Sequence, residues 1–382
     1  MKKDLQDARG RSLRSIIDNM DAPALSHKEF LRIDRDYEKT AAVADLIYVS
    51  DSLPGITRVK KGKGFTYMRN NKVIKDKAEI QRIQKLVIPP AWTNVWICPL
   101  PNGHIQATGL DIRGRKQYKY HPQWSAVRNQ TKFHRLLEFG KALPKLRLRL
   151  EEDMTKQELC EEKVIATVIS LMERTYIRIG SNDYEKMYGS YGLTTLKDSH
   201  VSIKGSQIRF SFKGKKGIFH EISLKNKRLA KAVEACRDIP GKELFQYFDK
   251  EGERRSIDSG MVNNYIKAAT GMEFTTKDFR TWAGSLNILW AFKSIGEAMN
   301  DSECKKKIVE ALDKVSMKLG NSRTVCKKYY VHPGLLSLYE ENNLQKYLSG
   351  LDEIEHPDDV SGLTTTEKVL MKILKSLQEL PA

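Results

Sequence analysis

A chain of 382 residues with 66 Lys and Arg against 48 Asp and Glu carries a formal net charge of +18, which leaves room for two domains and favours a polyanionic partner, nucleic acid being the commonest, over a plain basic soluble protein. Five cysteines spread over positions 98, 160, 236, 304 and 326 offer neither a disulfide framework nor a zinc pattern and are expected to be reduced thiols. The longest apolar-leaning run, Val164 to Met172, is far too short to span a bilayer, and Met1-Lys2-Lys3 leads into Asp4-Leu5-Gln6-Asp7 rather than an apolar leader, so a cytoplasmic protein with no membrane partner is expected.

Residues 1 to about 40 mix charges of both signs with little periodicity and read as a loosely attached basic arm with short helical pieces. From Ile56 the pattern turns to short β segments, Ile56-Val59 and Phe65-Met68, around the turn at Lys60 to Gly64. Asp76 with Glu79 forms a capping-box signature for a helix through Leu86, which Pro89-Pro90 prevents from continuing. Val95-Cys98 and His104-Thr108 flank Pro101-Asn102-Gly103, a hairpin signal. The stretch from Asp111 to His121 interleaves cations with aromatics and an amide: Arg113, Arg115, Lys116, Gln117, Tyr118 and Tyr120. Cations contact phosphates at any sequence, whereas the aromatics and Gln117 can pack on sugars or reach base edges, so this is a candidate nucleic-acid surface. A solvated basic loop is the plainer alternative.

Beyond Trp124 the chain reads as mainly helical, and a domain boundary is expected near residue 123. Val164, Ile165, Val168, Ile169 and Met172 make an apolar stripe on a helix from Glu161 to Arg174. Next comes Tyr176-Ile177-Arg178-Ile179-Gly180-Ser181; an arginine flanked by apolar residues is either paired with a carboxylate or held toward a phosphate. Leu193-Leu196, Val201-Ile203 and Gln207-Phe212 are expected to form a small sheet, joined through the tight turn Lys213-Gly214-Lys215-Lys216-Gly217 to Ile218-Ile222. A lysine at such a tip is usually just solvated, but it can also swing into a bound substrate. Helices follow around 226 to 237 and 258 to 269, and Thr275 with Asp278 opens a long one with Phe279, Trp282, Leu286, Leu289 and Lys293 on its buried-to-boundary face. Arg280 lies off that stripe, in line with Gly284 and Asn287, where it faces either a ligand or solvent.

Ile308, Leu312, Val315 and Leu319 recur at helical spacing up to Gly320, where a left-handed C-cap belongs. Asn321 or Ser322 then caps a further helix whose last turn carries Tyr329 and Tyr330, before the break at His332-Pro333. Adjacent helical tyrosines point about 100° apart, so only one can face a shared site. Tyr329, four residues after Val325, is expected to pack, and Tyr330 to be available for chemistry. The tail reads as a helix from Leu335 to Leu348, an acidic linker from Asp352 to Asp359, and a last amphipathic helix capped by Thr364 and Glu367 that ends near Leu380.

The second half thus offers two arginines, a hairpin-tip lysine, an asparagine and a tyrosine, with no carboxylate pair, phosphate-binding glycine loop, H-E-x-x-H or spaced Cys/His set. ATP hydrolysis and metal-assisted cleavage are disfavoured, and no cofactor or metal is expected. These groups suit a phosphodiester whose transition state gathers negative charge, with tyrosine as nucleophile.

Tyr176-Ile177-Arg178-Ile179-Gly180, Phe212-Lys213-Gly214-Lys215, Lys277-Asp278-Phe279-Arg280-Thr281-Trp282 and Leu319-Gly320-Asn321, with Tyr330 nine residues after Asn321, resemble the catalytic segments of type IB DNA topoisomerases, most closely the compact poxvirus-like form found in bacteria. Ile88-Pro89-Pro90-Ala91-Trp92 and Gly114-Arg115-Lys116-Gln117-Tyr118 resemble that family's amino-terminal domain, and the likeness runs in order from about residue 50 to 335. The resemblance implies an α+β chain in which a small β-rich amino-terminal domain (41–122) follows the arm (1–40). A larger, mainly helical catalytic domain of the tyrosine recombinase/topoisomerase IB type with a small β-sheet (123–345) comes next, then the linker and last helix (346–382).

It further implies that Arg178 and Arg280 clamp the scissile phosphate, that Lys215 protonates the leaving 5′ oxygen, and that Tyr330 attacks phosphorus. Poxvirus members have histidine where this chain has Asn321, whose amide can donate a hydrogen bond but cannot hold a proton charge. The implied reaction relaxes supercoils by transient single-strand cleavage through a 3′-phosphotyrosyl intermediate without nucleotide fuel. The implied partner is double-stranded DNA, held by a monomer that closes around the duplex in the nucleoid, with Lys277 and the 113–120 stretch among its contacts. A tyrosine site-specific recombinase is the alternative; recombinases usually carry histidine at the position of Lys277, and no exchanging segment is evident beyond the tail helix. A DNA-binding architectural protein would account for the charge and leave the four spaced motifs unexplained.

Overall fold

The computed structural model of the chain describes residues 25–351 and 361–379, apart from Arg35 and Lys63. Residues 1–24 of the expected arm and the expected acidic linker lie outside the described residues. Two short helices come first, α1 (His27–Ile33), closed by a Ser26/Glu29 capping box, and α2 (Tyr37–Val43), capped by Asp36. Phe30, Ile33 and Ala41 bury against Trp124 and Val127, so the short helical pieces expected here are present and packed rather than loosely attached. Two turns of helix are too short to display the periodicity by which a sequence announces them.

A six-stranded sheet follows, in the order β3-β2-β1-β4-β5-β6. β1 (Ile56–Lys61) and β2 (Gly64–Arg69) pair antiparallel, with β3 (Lys72–Val73) at one edge. Helix α3 (Lys77–Lys85) intervenes before β4 (Thr93–Ile97), β5 (Ile105–Leu110) and β6 (Lys116–Tyr120), the last forming the other edge. Asp76 caps α3 as expected, but Glu79 binds Arg82 instead of completing a capping box, and Arg82 ties the helix to the sheet through the Cys98 carbonyl at 2.8 Å. Ile83 packs with Ile56, Val95, Ile97 and Ala107 as the core beneath.

The chain separates into two compact units, one ending at Arg135 and the other starting at Leu136. The division falls inside α4 (Pro122–Thr155), which starts where the sequence reading placed its boundary. In the second unit α5 (Glu161–Thr175) and α6 (Asn182–Tyr188) lead into a three-stranded antiparallel sheet of β7 (Val201–Lys204), β8 (Gln207–Lys213) and β9 (Phe219–Lys225). Leu193–Thr195, within the stretch Leu193-Leu196 expected as a strand, is a buried 3-10 turn, because the Leu193 and Thr194 N–H groups bond to the Arg178 and Ile179 carbonyls and that of Thr195 turns back to the Gly192 carbonyl. Helix α7 (Lys227–Arg237), the hairpin β10 (Gln246–Phe248) and β11 (Arg254–Ser256), and α8 (Ser259–Thr270) complete one side of this unit.

Helix α9 (Thr276–Ile295), opened by the Thr275/Asp278 capping box, runs through the core. It is buried nearly all round: Phe279, Trp282, Leu286 and Leu289 on the expected stripe, and also Arg280, Gly284, Ser285 and Asn287 off it, while Lys293 is exposed. Helices α10 (Asp301–Leu319), α11 (Arg323–Tyr329), α12 (Pro333–Glu340) and α13 (Gln345–Leu348) follow. The single helix expected over Leu335–Leu348 is thus two, interrupted where Asn342 takes a left-handed conformation (φ 57°). The last element is α14 (Thr365–Glu379), begun by reciprocal bonds between Thr364 and Glu367.

Candidate active site

The site is assembled on the carboxyl end of α10. Gly320 adopts the left-handed cap (φ 57°, ψ 51°), which stops the helix and leaves its last carbonyls open to donors from outside. Two guanidiniums take them. Arg280 donates from Nη2 to the Leu319 carbonyl (2.6 Å) and from Nη1 to the Tyr176 carbonyl (2.6 Å), and Arg178 donates from Nη2 to the Gly320 carbonyl (3.0 Å). Cations at a helix carboxyl end are favoured by the dipole as well as by these bonds. Arg178 Nη2 also donates to Asn321 Oδ1 at 2.5 Å, while Asn321 Nδ2 donates to the Leu319 carbonyl at 3.3 Å.

Neither arginine makes an ion pair among the described residues. Arg280 is 7% exposed, and burial lowers its pKa. Burial, and then the charge of Arg280, brings Arg178 down to about 10. Two desolvated cations without a carboxylate form a site that an anion would relieve.

Arg178 follows the left-handed end of α5 at Tyr176 (φ 57°), and its main-chain carbonyl accepts from Leu193 N–H at 2.9 Å. Gly192 allows the approach: a Cβ there would lie 2.5 Å from the Arg178 carbonyl oxygen. Lys215 stands at the β8–β9 tip, in a turn closed by Gly214 N–H to the Ile218 carbonyl (2.7 Å) and by left-handed Lys216 and Gly217. Its ammonium lies 5.3 Å from the Tyr184 ring centroid, a cation–π approach. Desolvation lowers its pKa, followed by the charges of Arg178, Lys216 and Lys277.

His220, which no sequence signal singled out, links the hairpin to the α10 cap. A Cβ on Gly214 would fall 2.5 Å from its Cδ2, and one on Gly320 would fall 2.4 Å from its Cε1. It stacks on Phe212, its partner across the β8–β9 register. Burial, then the Arg178 and Arg280 charges, lowers its pKa and keeps the ring neutral at neutral pH. Nothing local in the sequence marks it: its place opposite Phe212 and against Gly214 and Gly320 appears only in the fold.

Tyr330 is the residue that ends α11, half-buried, with its ring centroid 5.1 Å from Arg280 Cζ. Its main chain is fixed from α9: Ser285 Oγ donates to the Tyr330 carbonyl (3.4 Å) and accepts from His332 N–H (3.1 Å). Tyr329 is 38% exposed and does not become the packing residue that its spacing from Val325 suggested; Cys326 and Val331 fill the buried positions instead. A Cβ on Gly284 would meet the Tyr330 carbonyl oxygen at 2.4 Å and its carbonyl carbon at 2.8 Å. Backbone cannot yield there as a side chain can. Gly284→Ala is therefore expected to displace Tyr330 and slow its chemistry by about 10², the cost of a shift near 1 Å, with DNA affinity retained; single-turnover cleavage alongside a binding titration checks this.

Of the remaining candidates, Lys277 is exposed on the first turn of α9 and near enough for its charge to act on Lys215. The others belong to the first unit. Arg113 is exposed at the β5–β6 turn, and Lys116, Tyr118 and Tyr120 point outward from β6, with the two tyrosine rings stacked 5.7 Å apart and Lys116 5.6 Å from the Tyr118 centroid. Arg115 and Gln117 both reach the Asp111 carboxylate, at 2.6 and 3.1 Å, and Lys116 reaches Asp51 at 2.6 Å. The Arg115 hydrogen bond, more than any other influence, brings Asp111 down to about 2.

A tyrosine hydroxyl set against two carboxylate-free guanidiniums and a lysine is the equipment of a phosphodiester transesterase. The family model of the eukaryotic DNA topoisomerase I catalytic core matches residues 119–355, and that of the bacterial DNA topoisomerase IB N-terminal domain matches residues 64–111. A DNA topoisomerase 1B of Acanthamoeba polyphaga mimivirus is 34% identical over 336 residues, covering 86% of this chain and 96% of the relative. The DNA topoisomerase I of monkeypox virus and the DNA topoisomerase 1B of vaccinia virus (strain Copenhagen) are each 24% identical over 299 residues, covering 76% of this chain and 91% of the relative. The chain belongs to the type IB DNA topoisomerase family. Nothing in these likenesses favours the recombinase alternative. No helix among the described residues is long and apolar enough to cross a membrane.

Proposed function

We propose that the protein relaxes supercoiled duplex DNA by reversible transesterification. Tyr330 Oη attacks the scissile phosphorus, forming a 3′-phosphotyrosyl ester and releasing the 5′ oxygen of the broken strand. The free end rotates, and its 5′ hydroxyl then displaces Tyr330. One phosphoester replaces another, so no nucleotide is consumed. Arg178 and Arg280 hold the non-bridging oxygens as charge builds on them, Asn321 offers an amide hydrogen bond, and Lys215 protonates the leaving 5′ oxygen. The observation that carries this reading is the pair of carboxylate-free guanidiniums, buried Arg280 and half-buried Arg178, gathered with Tyr330 at one helix end. Supercoiled plasmid incubated with the protein in EDTA, without ATP, should be relaxed; sequence-specific joining of two sites instead would favour a recombinase.

Duplex DNA is bound, in this reading, by a monomer closing around it, with Arg113, Arg115, Lys116, Gln117, Tyr118, Tyr120 and Lys277 among the contacts. Arg115 and Lys116 exchange their carboxylate partners for phosphates on binding. With about six phosphates neutralised, log affinity should fall against log salt with a slope of roughly −5, and alanine at both Arg115 and Lys116 should flatten it by about one to two units. A slope near zero in a salt titration would remove the closed form.

A further inference from the structure

Glu367 is 2% exposed and lies on α14, beyond the residues 119–355 that the catalytic-core family model matches. Its Oε1 accepts from Trp282 Nε1 (3.0 Å) and Arg147 Nη2 (2.7 Å), and its Oε2 accepts from Arg147 Nη1 (2.9 Å) and Thr364 N–H (2.9 Å). Arg147 is shared with Glu173, at 2.5 Å from Nη2, and donates to the Gly362 carbonyl at 2.6 Å. Two carboxylates around one guanidinium leave a net negative charge in the interior. Such a group adds little stability over apolar packing of the same volume, so its placement asks for another role.

That placement is behind Arg280. Trp282 follows Arg280 by two residues on α9, and Glu173, Tyr176, Arg280, Trp282 and Glu367 line one cavity of about 20 Å³, room for a single water. The two Nη groups of Arg280 donate to the Tyr176 and Leu319 carbonyls, while its Nε is buried without a protein partner. The same helix reaches the segment after Tyr330: a Cβ on Gly334 would fall 2.6 Å from Leu377 Cδ1.

We propose that α14 is a positioning element acting in cis, in which Glu367, through its bond to Trp282, fixes the turn of α9 that carries Arg280 and so the guanidinium of Arg280 for the scissile phosphate. This rests on the reading of Arg280 as a phosphate ligand. Arg280 acts in the transition state common to cleavage and religation, so losing its support slows both directions alike.

The test uses the full chain and measures single-turnover cleavage, religation, DNA affinity and melting temperature for Glu367→Gln and Trp282→Phe. Ile373→Ala, which opens the buried α14 packing away from the ion triad, is the control. Glu367→Gln should slow cleavage and religation equally, by about 10-fold or more, leaving the cleavage equilibrium and DNA affinity unchanged. Trp282→Phe, which keeps a ring and loses the Nε1 donor, should change rates in the same sense. Ile373→Ala should cleave at the wild-type rate despite a lower melting temperature. A wild-type rate in both triad variants, or equal slowing by Ile373→Ala at matched melting temperature, overturns the proposal while the wild type still cleaves. A wild type that forms no covalent complex overturns the topoisomerase reading itself.

Discussion

Tyr330→Phe is expected to bind duplex DNA with near wild-type affinity and to form no covalent adduct at all. The substitution removes one oxygen from a half-buried ring, so folding and the cationic surface persist, but the hydroxyl proposed to attack phosphorus is gone. Tyr329→Phe should retain strand cleavage, because that ring is exposed while Tyr330 lies beside Arg280. Gel analysis of protein–DNA complexes on a nicking substrate separates the two. A dead Tyr329→Phe together with a Tyr330→Phe that still traps DNA would reverse the assignment.

Lys215→Ala should slow cleavage by about 10² to 10⁴, the usual contribution of a positioned proton donor. An alkoxide leaves poorly at neutral pH, and the two guanidiniums do not readily give up a proton. Lys215 can: desolvation first, then the charges of Arg178, Lys216 and Lys277, lowers its pKa below the ordinary lysine range. The reactive form is the protonated one, so the cleavage rate should fall as pH rises through the lowered pKa. A substrate with sulfur at the 5′ bridging position should restore most of the rate lost in Lys215→Ala and abolish this alkaline limb, since a thiolate leaves unprotonated. Lys213→Ala and Lys216→Ala are the comparisons: Lys213 is exposed on β8 and Lys216 occupies the left-handed turn. Rescue of Lys216→Ala instead, or none for Lys215→Ala, reduces Lys215 to a phosphate contact.

Sequence periodicity made the large elements legible, because a capping box at Thr275/Asp278 and a glycine at 320 state helix ends locally. The resemblance to type IB topoisomerases singled out Arg178, Lys215, Arg280, Asn321 and Tyr330, and in the fold the two arginines, Asn321 and Tyr330 meet at the α10 terminus with Lys215 within electrostatic reach. What stayed hidden depends on contacts far apart in the chain. Leu193–Thr195 looked like a strand because its composition is β-prone, yet the Leu193 and Thr194 N–H groups are committed to residues 178 and 179. Arg280 could not be told from a surface arginine while α9 was pictured with one buried stripe, and α9 is buried nearly all round, Arg280 included. His220 and Ser285 carry no motif; they matter through Gly214, Gly320 and the Tyr330 carbonyl, which only the folded chain brings to them.

The central claim, that Tyr330 becomes joined to a 3′ phosphate, is tested most directly by trapping the protein on a duplex whose cleaved 5′ segment dissociates, digesting the adduct and sequencing the DNA-linked peptide by mass spectrometry. One peptide should carry nucleotide mass, with the modification on Tyr330 through the 3′ phosphate and a free hydroxyl on the departed 5′ end. A nucleotide found on Tyr329 or any other side chain, or a linkage to a 5′ phosphate, would contradict it.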